Sequence, residues 1–218
     1  MSLIVYGVPL SPFVRKLRMC LAEKALDYKL DIVMPFNQPD WFLELNPLGR
    51  IPVLKDGDVV LSDSSVICQY LEEKHPELTP LFGQTLEQKA QVRWLEKYAD
   101  YELAALTTFT VFRHRVLSPS MGKACNEDAV KAAVEDKLPT HFDYLEKTLA
   151  NNDYFVGNTL SLADIAFTSQ LISMEHGGET IDAQRWPNLA GLYQRMIASE
   201  FMQGMLAGEK KALASIVR

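Results

Sequence analysis

The sequence predicts an α+β fold in two parts: a small mixed sheet with helices, then a domain of helices only. Three observations carry this. Short strand-like apolar runs are confined to the first third of the chain. Beyond Thr85 the apolar residues recur at helical spacing. Between the two regions, Glu77 to Gln84 holds Pro80 and Gly83 and reads as a linker. The predicted domains are residues 1–78 and 85–218.

Leu3-Ile4-Val5-Tyr6 is a strand closed by Gly7. Ser11 then offers an N-cap and Pro12 a first helical residue. Val14, Leu17 and Leu21 mark the apolar face of that helix, and Arg15, Lys16, Arg18 and Glu23 its polar face. Tyr28, Leu30 and Ile32 alternate with Lys29 and Asp31, a second strand that completes a β-α-β unit. Pro35 to Leu48 is irregular, with one short helix near Trp41-Phe42-Leu43. Asn46-Pro47 and Leu48-Gly49 are turn chemistry leading to Pro52, and Val53-Leu54 starts a strand. Pro52 either opens an ordinary edge strand or follows a cis bond. A cis bond would turn the N–H and C=O of Ile51 outward, where an extended ligand could pair with them. Asp56-Gly57 makes a hairpin turn, and Val59-Val60-Leu61 returns. Ser62-Asp63-Ser64-Ser65 caps a helix with Val66, Ile67, Tyr70 and Leu71 on its apolar face, ending near His75-Pro76. The order β-α-β, loop, β-β-α is that of the thioredoxin fold.

In the second part, Thr85 and Gln88 form a capping box. The helix it opens is predicted to reach about Val116, with Trp94, Tyr98, Tyr101 and Ala105 on one face, and Leu117 to Cys125 as a loop. The next helix starts near Asn126, is kinked by Pro139, and closes at Asn151-Asn152-Asp153. Ser161-Leu162-Ala163-Asp164 is a second capping box before a very apolar helix, and is read as a folding device. Trp186-Pro187-Asn188 starts another helix, and Phe201 to Leu213 is the last.

Composition excludes several classes. The chain of 218 residues has 48% hydrophobic and 23% charged residues, ordinary for a globular protein. A net charge of −6 gives no nucleic-acid footprint. No apolar run approaches the ~18 residues of a membrane helix, and no signal peptide is expected. Cys20, Cys68 and Cys125 are odd in number and scattered. That fits a reducing, cytoplasmic setting rather than a disulfide framework. The histidines show no metal-ligand spacing, so no metal is expected.

Together, Ser11 after the first strand, the run Asn46 to Pro52, Ser62-Asp63-Ser64-Ser65-Val66-Ile67, and Gly157 to Asp164 resemble the cytosolic glutathione transferases. The resemblance covers nearly the whole chain. It implies a homodimer with glutathione as co-substrate, and a serine-type class similar to the theta and phi enzymes. It implies detoxifying attack of the glutathione thiol on a hydrophobic electrophile. Ser11 would be the catalytic residue, Ser64 would take the γ-glutamyl carboxylate, and Asp63 would lie near the ammonium. Ile51 beside Pro52 would meet the cysteinyl unit, and Arg50 the glycyl carboxylate, with Asn37 and Gln38 as weaker candidates. The electrophile is expected over Ser11, with Leu10, Phe36, Phe109, Phe112 and Arg113 as its contacts. Two alternatives stay open: a non-catalytic interaction module on the same fold, and a glutathione peroxidase or dehalogenase activity at the same site.

Overall fold

The computed structural model describes residues 3–216. It divides into two compact units, one ending at Leu81 and the other beginning at Phe82. The first unit is built on a four-stranded sheet in the order β2-β1-β3-β4. The strands are β1 (Leu3–Gly7), β2 (Tyr28–Ile32), β3 (Val53–Asp56) and β4 (Val59–Ser62). β1 runs parallel to β2, as a β-α-β crossover requires. It runs antiparallel to β3, which pairs with β4 through the Asp56-Gly57 turn. The helices are α1 (Pro12–Glu23), α2 (Asp40–Leu45) and α3 (Ser64–Lys74). Val5, Val14, Leu17, Leu54, Ile67 and Leu71 are fully buried and form the core of this unit. These elements make the thioredoxin-like arrangement that the order of strands and helices predicts.

The polar face expected of α1 is not all in solvent. Arg15 and Lys16, assigned to that face, are buried, 0% and 1% exposed. The Arg15 guanidinium reaches back to the Leu10 carbonyl at 3.5 Å, and Lys16 Nζ reaches the Ser65 hydroxyl at 3.3 Å. Helical side chains lean toward the N-terminus, so Arg15 reaches the loop ahead of α1, while Lys16 meets the start of α3.

The second unit is all helical. α4 (residues 86–120) is one unbroken run whose turns widen to π-helical geometry at Ala99–Leu103 and Thr107–Leu117. It is opened by the Thr85–Gln88 capping box. Leu117–Ser120, expected as loop, extends this helix: the Met121 N–H still donates to the Leu117 carbonyl at 3.2 Å, and Pro119 removes only the one bond that its own N–H would have made. Its buried face is Val92, Leu95, Ala99, Leu103 and Val111, distinct from the face of Trp94, Tyr98, Tyr101 and Ala105. Trp94 and Tyr101 are exposed at 56% and 65%. Both sets recur at helical spacing, so periodicity does not choose between them. The aromatic face instead meets the next helix, with the Trp94 indole donating to the Tyr144 hydroxyl at 3.0 Å.

α5 (residues 127–149) widens at Ala132–Lys137, directly before Pro139, which cannot donate back to the preceding turn. α6 (Leu162–His176) is central: every residue from Leu162 to Met174 is buried. The Thr107 and Thr108 hydroxyls donate to the Gln170 side-chain oxygen at 3.3 and 2.8 Å. α7 (Pro187–Ile197) and α8 (Glu200–Ile216) follow. No helix among the described residues is long and apolar enough to cross a membrane.

Candidate active site

Sheet register brings three loops to one end of the first unit. Tyr6 of β1 pairs with Val53 of β3, and Val53 pairs with Ser62 of β4. The chain leaving β1, the chain entering β3 and the chain leaving β4 therefore meet at that end. They carry Leu10 and Ser11, Arg50 to Pro52, and Asp63 and Ser64 respectively. Gly7 makes the approach close. A Cβ placed there would lie 2.5 Å from Val14 Cγ2 and 3.4 Å from Ile51 Cβ, so any larger residue would push α1 and the Pro52 loop apart.

Ser11 is the N-cap of α1. Its backbone is extended, its N–H donates to the Val8 carbonyl at 3.1 Å, and its Oγ accepts from the Val14 N–H at 3.4 Å. A hydroxyl has one donor and two acceptor positions. Capping therefore leaves the Ser11 O–H free to donate to an anion, in the field of the helix N-terminus. Leu10 precedes it and is half-buried.

The Ile51-Pro52 peptide bond is cis, and both residues are buried. The loop before it is held by two side chains. Asn46, 3% exposed, donates its amide to the Arg50 carbonyl at 2.7 Å and accepts from the Leu48 N–H at 3.1 Å. Gln38 donates to the Gly49 carbonyl at 2.7 Å. Sequence reasoning gives Asn46 as turn chemistry and misses it as a clamp. The Asn-Pro pair is the available signal, since an asparagine before a turn bonds backbone two residues on. Arg50 is exposed.

Ser64 opens α3 and is buried, 4% exposed. The cap of α3 is Asp63, whose Oδ1 accepts from the N–H groups of Ser65 and Val66 at 2.8 and 3.2 Å. Asp63 sits at φ 77°, ψ 119°, in left-handed φ space that aspartate tolerates better than most residues. Its carboxylate already occupies two donors of that helix start, so α3 offers a ligand the Ser64 hydroxyl and the negative charge of Asp63.

Of the helical-unit candidates, Phe109 and Arg113 are exposed, while Phe112 is buried with its ring 6.4 Å from that of His176. Phe36 and Asn37 are exposed. Among the described residues no group of three or more His, Cys, Asp or Glu side chains is placed to hold a metal ion.

Comparison with known proteins gives this geometry a family. The model for the glutathione S-transferase N-terminal domain matches residues 5–79, and that for the C-terminal domain matches residues 109–200. Glutathione S-transferase F10 of Arabidopsis thaliana is 33% identical over 180 residues, covering 79% of this chain and 82% of that protein. Glutathione S-transferase 4 of Zea mays is 37% identical over 170 residues, 74% of this chain and 73% of the relative. A crystal structure of a glutathione S-transferase from Rhodospirillum rubrum F11 aligns with TM-score 0.86 at 28% identity, covering 94% of this chain and 92% of that one. Two matching domain models in the right order, with relatives aligned over most of their own length, mean that this chain belongs to the glutathione S-transferase family.

Proposed function

We propose that this chain is a serine-type glutathione S-transferase of the theta and phi kind, which conjugates glutathione to a hydrophobic electrophile. The observation that carries the reading is Ser11 at the N-terminus of α1, at the sheet end where the Pro52 and Ser64 loops also arrive. A cysteine thiol has a pKa near ~8.5, so at neutral pH little of it is the nucleophilic thiolate. Lowering that value by about two units takes roughly 2.7 kcal/mol. A hydrogen bond from Ser11 to the sulfur anion supplies about 1.5–3 kcal/mol, and the helix N-terminus adds to it.

The thiolate sulfur attacks the electrophilic carbon. The S–C bond forms as the bond to the leaving group breaks, and that group departs with the electron pair. Ser11 keeps its proton throughout: it stabilises S⁻ and is not a base. Ile51 beside Pro52 pairs with the cysteinyl backbone, Ser64 binds the γ-glutamyl carboxylate, and Asp63 attracts the ammonium. Arg50, exposed at the same end, takes the glycyl carboxylate. Leu10 meets the electrophile beside Ser11. The enzyme works in the cytoplasm as a homodimer.

The test is a glutathione titration followed by the ultraviolet absorbance of bound thiolate against pH. The bound thiol should ionise well below free glutathione. In Ser11→Ala the ionisation should return toward the free value, and the rate should fall by about a hundredfold or more, which is what ~2.7 kcal/mol implies. Binding should survive. A wild-type thiol with unshifted ionisation would remove the activated nucleophile from the proposal.

A further inference from the structure

The helical unit carries a second cleft that the glutathione reading does not use. It has a volume of about 510 Å³, within the range of small-molecule pockets. It opens between the end of α6, the turn after it and α7. Met174, Ile181, Ala190 and Ile197 give it apolar walls. Two carboxylates border it, and they differ. Glu179 is held by Arg115, whose Nη1 lies 2.6 Å away and whose other nitrogens bind Glu127. Glu175 is in no ion pair among the described residues; it accepts a hydrogen bond from the hydroxyl of Tyr193, a side chain almost wholly buried. A phenol donates a hydrogen bond but carries no positive charge, so among the described residues no cation is paired with the Glu175 carboxyl group at the edge of this apolar trough.

We infer that this cleft binds an amphiphilic organic cation. The apolar part lies along the walls, and the cationic head meets Glu175. The walls exclude a small inorganic ion, because one carboxylate among aliphatic side chains is not a ligand set for a metal. An anionic head would meet Glu175 with repulsion, and the net charge of −6 also steers cations toward the surface. The site uses helical-unit residues alone, and none of them is proposed to bind glutathione.

Gly191 supplies the decisive variant. It lines the cleft from the middle of α7, and a Cβ placed there meets nothing within 4 Å. Gly191→Leu therefore starts from an open position, puts apolar bulk at the trough, and replaces a poor helix former. The experiment is calorimetric titration of the protein, free of glutathione, with decyltrimethylammonium and separately with decyl sulfate. The cation should bind saturably, one per chain, and more tightly than the sulfate. Gly191→Leu should weaken it at least about tenfold, the scale of lost apolar contact for two methylenes. Glu175→Gln should weaken the cation by about fivefold, in keeping with an exposed ion pair, and erase the preference over the sulfate. Equal binding of the two probes by the wild type, or unchanged binding in Gly191→Leu, overturns the assignment. Millimolar glutathione should leave the titration unaltered, so the result stands apart from the outcome of the thiolate test.

Discussion

Asp63 shows how one residue carries conformation, capping and charge at once. It holds a positive φ, caps α3 through two backbone N–H groups, and places a carboxylate beside Ser64. Asp63→Asn separates these. Asparagine tolerates the same backbone and caps nearly as well, but carries no charge. The variant should melt within about 1 kcal/mol of the wild type, yet bind glutathione several-fold more weakly, as expected for one lost charge contact to the ammonium. Isothermal titration and thermal melting of the same sample check both halves. A variant that loses stability but not affinity would make Asp63 a cap alone. The sequence places Ser11, Asp63 and Ser64 correctly at helix starts. It does not decide which of Asp63 and Ser64 is the cap, because both are good cap formers and only backbone geometry distinguishes them.

At the scale of elements, α6 is organised by Asp164. This carboxyl is fully buried and accepts from the Phe155 N–H at 2.9 Å, the Ser161 N–H at 2.8 Å and the Ser161 hydroxyl at 2.7 Å. Burial outweighs these bonds and pushes its pKa from 3.8 up to about 6. A raised carboxyl pKa means that the folded chain holds this proton more tightly than the unfolded one. The stability due to Asp164 is then greatest below about pH 4, falls as pH rises toward about 6, and is flat above. Asp164→Asn, which cannot ionise, serves as the reference. The stability difference between wild type and variant should shrink by about 2 kcal/mol between about pH 4.5 and pH 7. Urea unfolding at the two pH values measures it; a difference that grows instead would mean the hydrogen bonds prevail over burial.

α8 is the opposite case. It docks by Met202, Met205 and Glu209, the last 2.7 Å from His176, and otherwise faces solvent or is half-buried. Gly204 and Gly208 lie within it, and a Cβ added at either meets nothing within 4 Å. Gly204→Ala with Gly208→Ala should stabilise the helix by about 1–2 kcal/mol, and hydrogen exchange across residues 200–216 should slow accordingly. Unchanged exchange would show that α8 leaves as a folded rod rather than by unwinding.

At the scale of the whole molecule, two units of different architecture share one chain. A homodimer should sediment at twice the chain mass at micromolar concentration, and a monomer there would remove the dimer from the proposal. Strand and helix identities are legible in the sequence because they rest on local chemistry. Alternation marks β2, Asp-Gly marks the β3–β4 turn, and Ser11-Pro12, Thr85–Gln88 and Ser161–Asp164 mark helix starts. Each signal acts over a few residues and needs no partner elsewhere. What only the tertiary structure decided depends on groups far apart in the chain. Register through Tyr6, Val53 and Ser62 brought three loops to one sheet end. Packing buried Arg15 and Lys16, and buried the Val92, Leu95 and Leu103 face of α4 more deeply than that of Trp94 and Tyr101. A side chain's environment is set by whatever packs against it, and the period of a helix records that a face is apolar without saying what covers it.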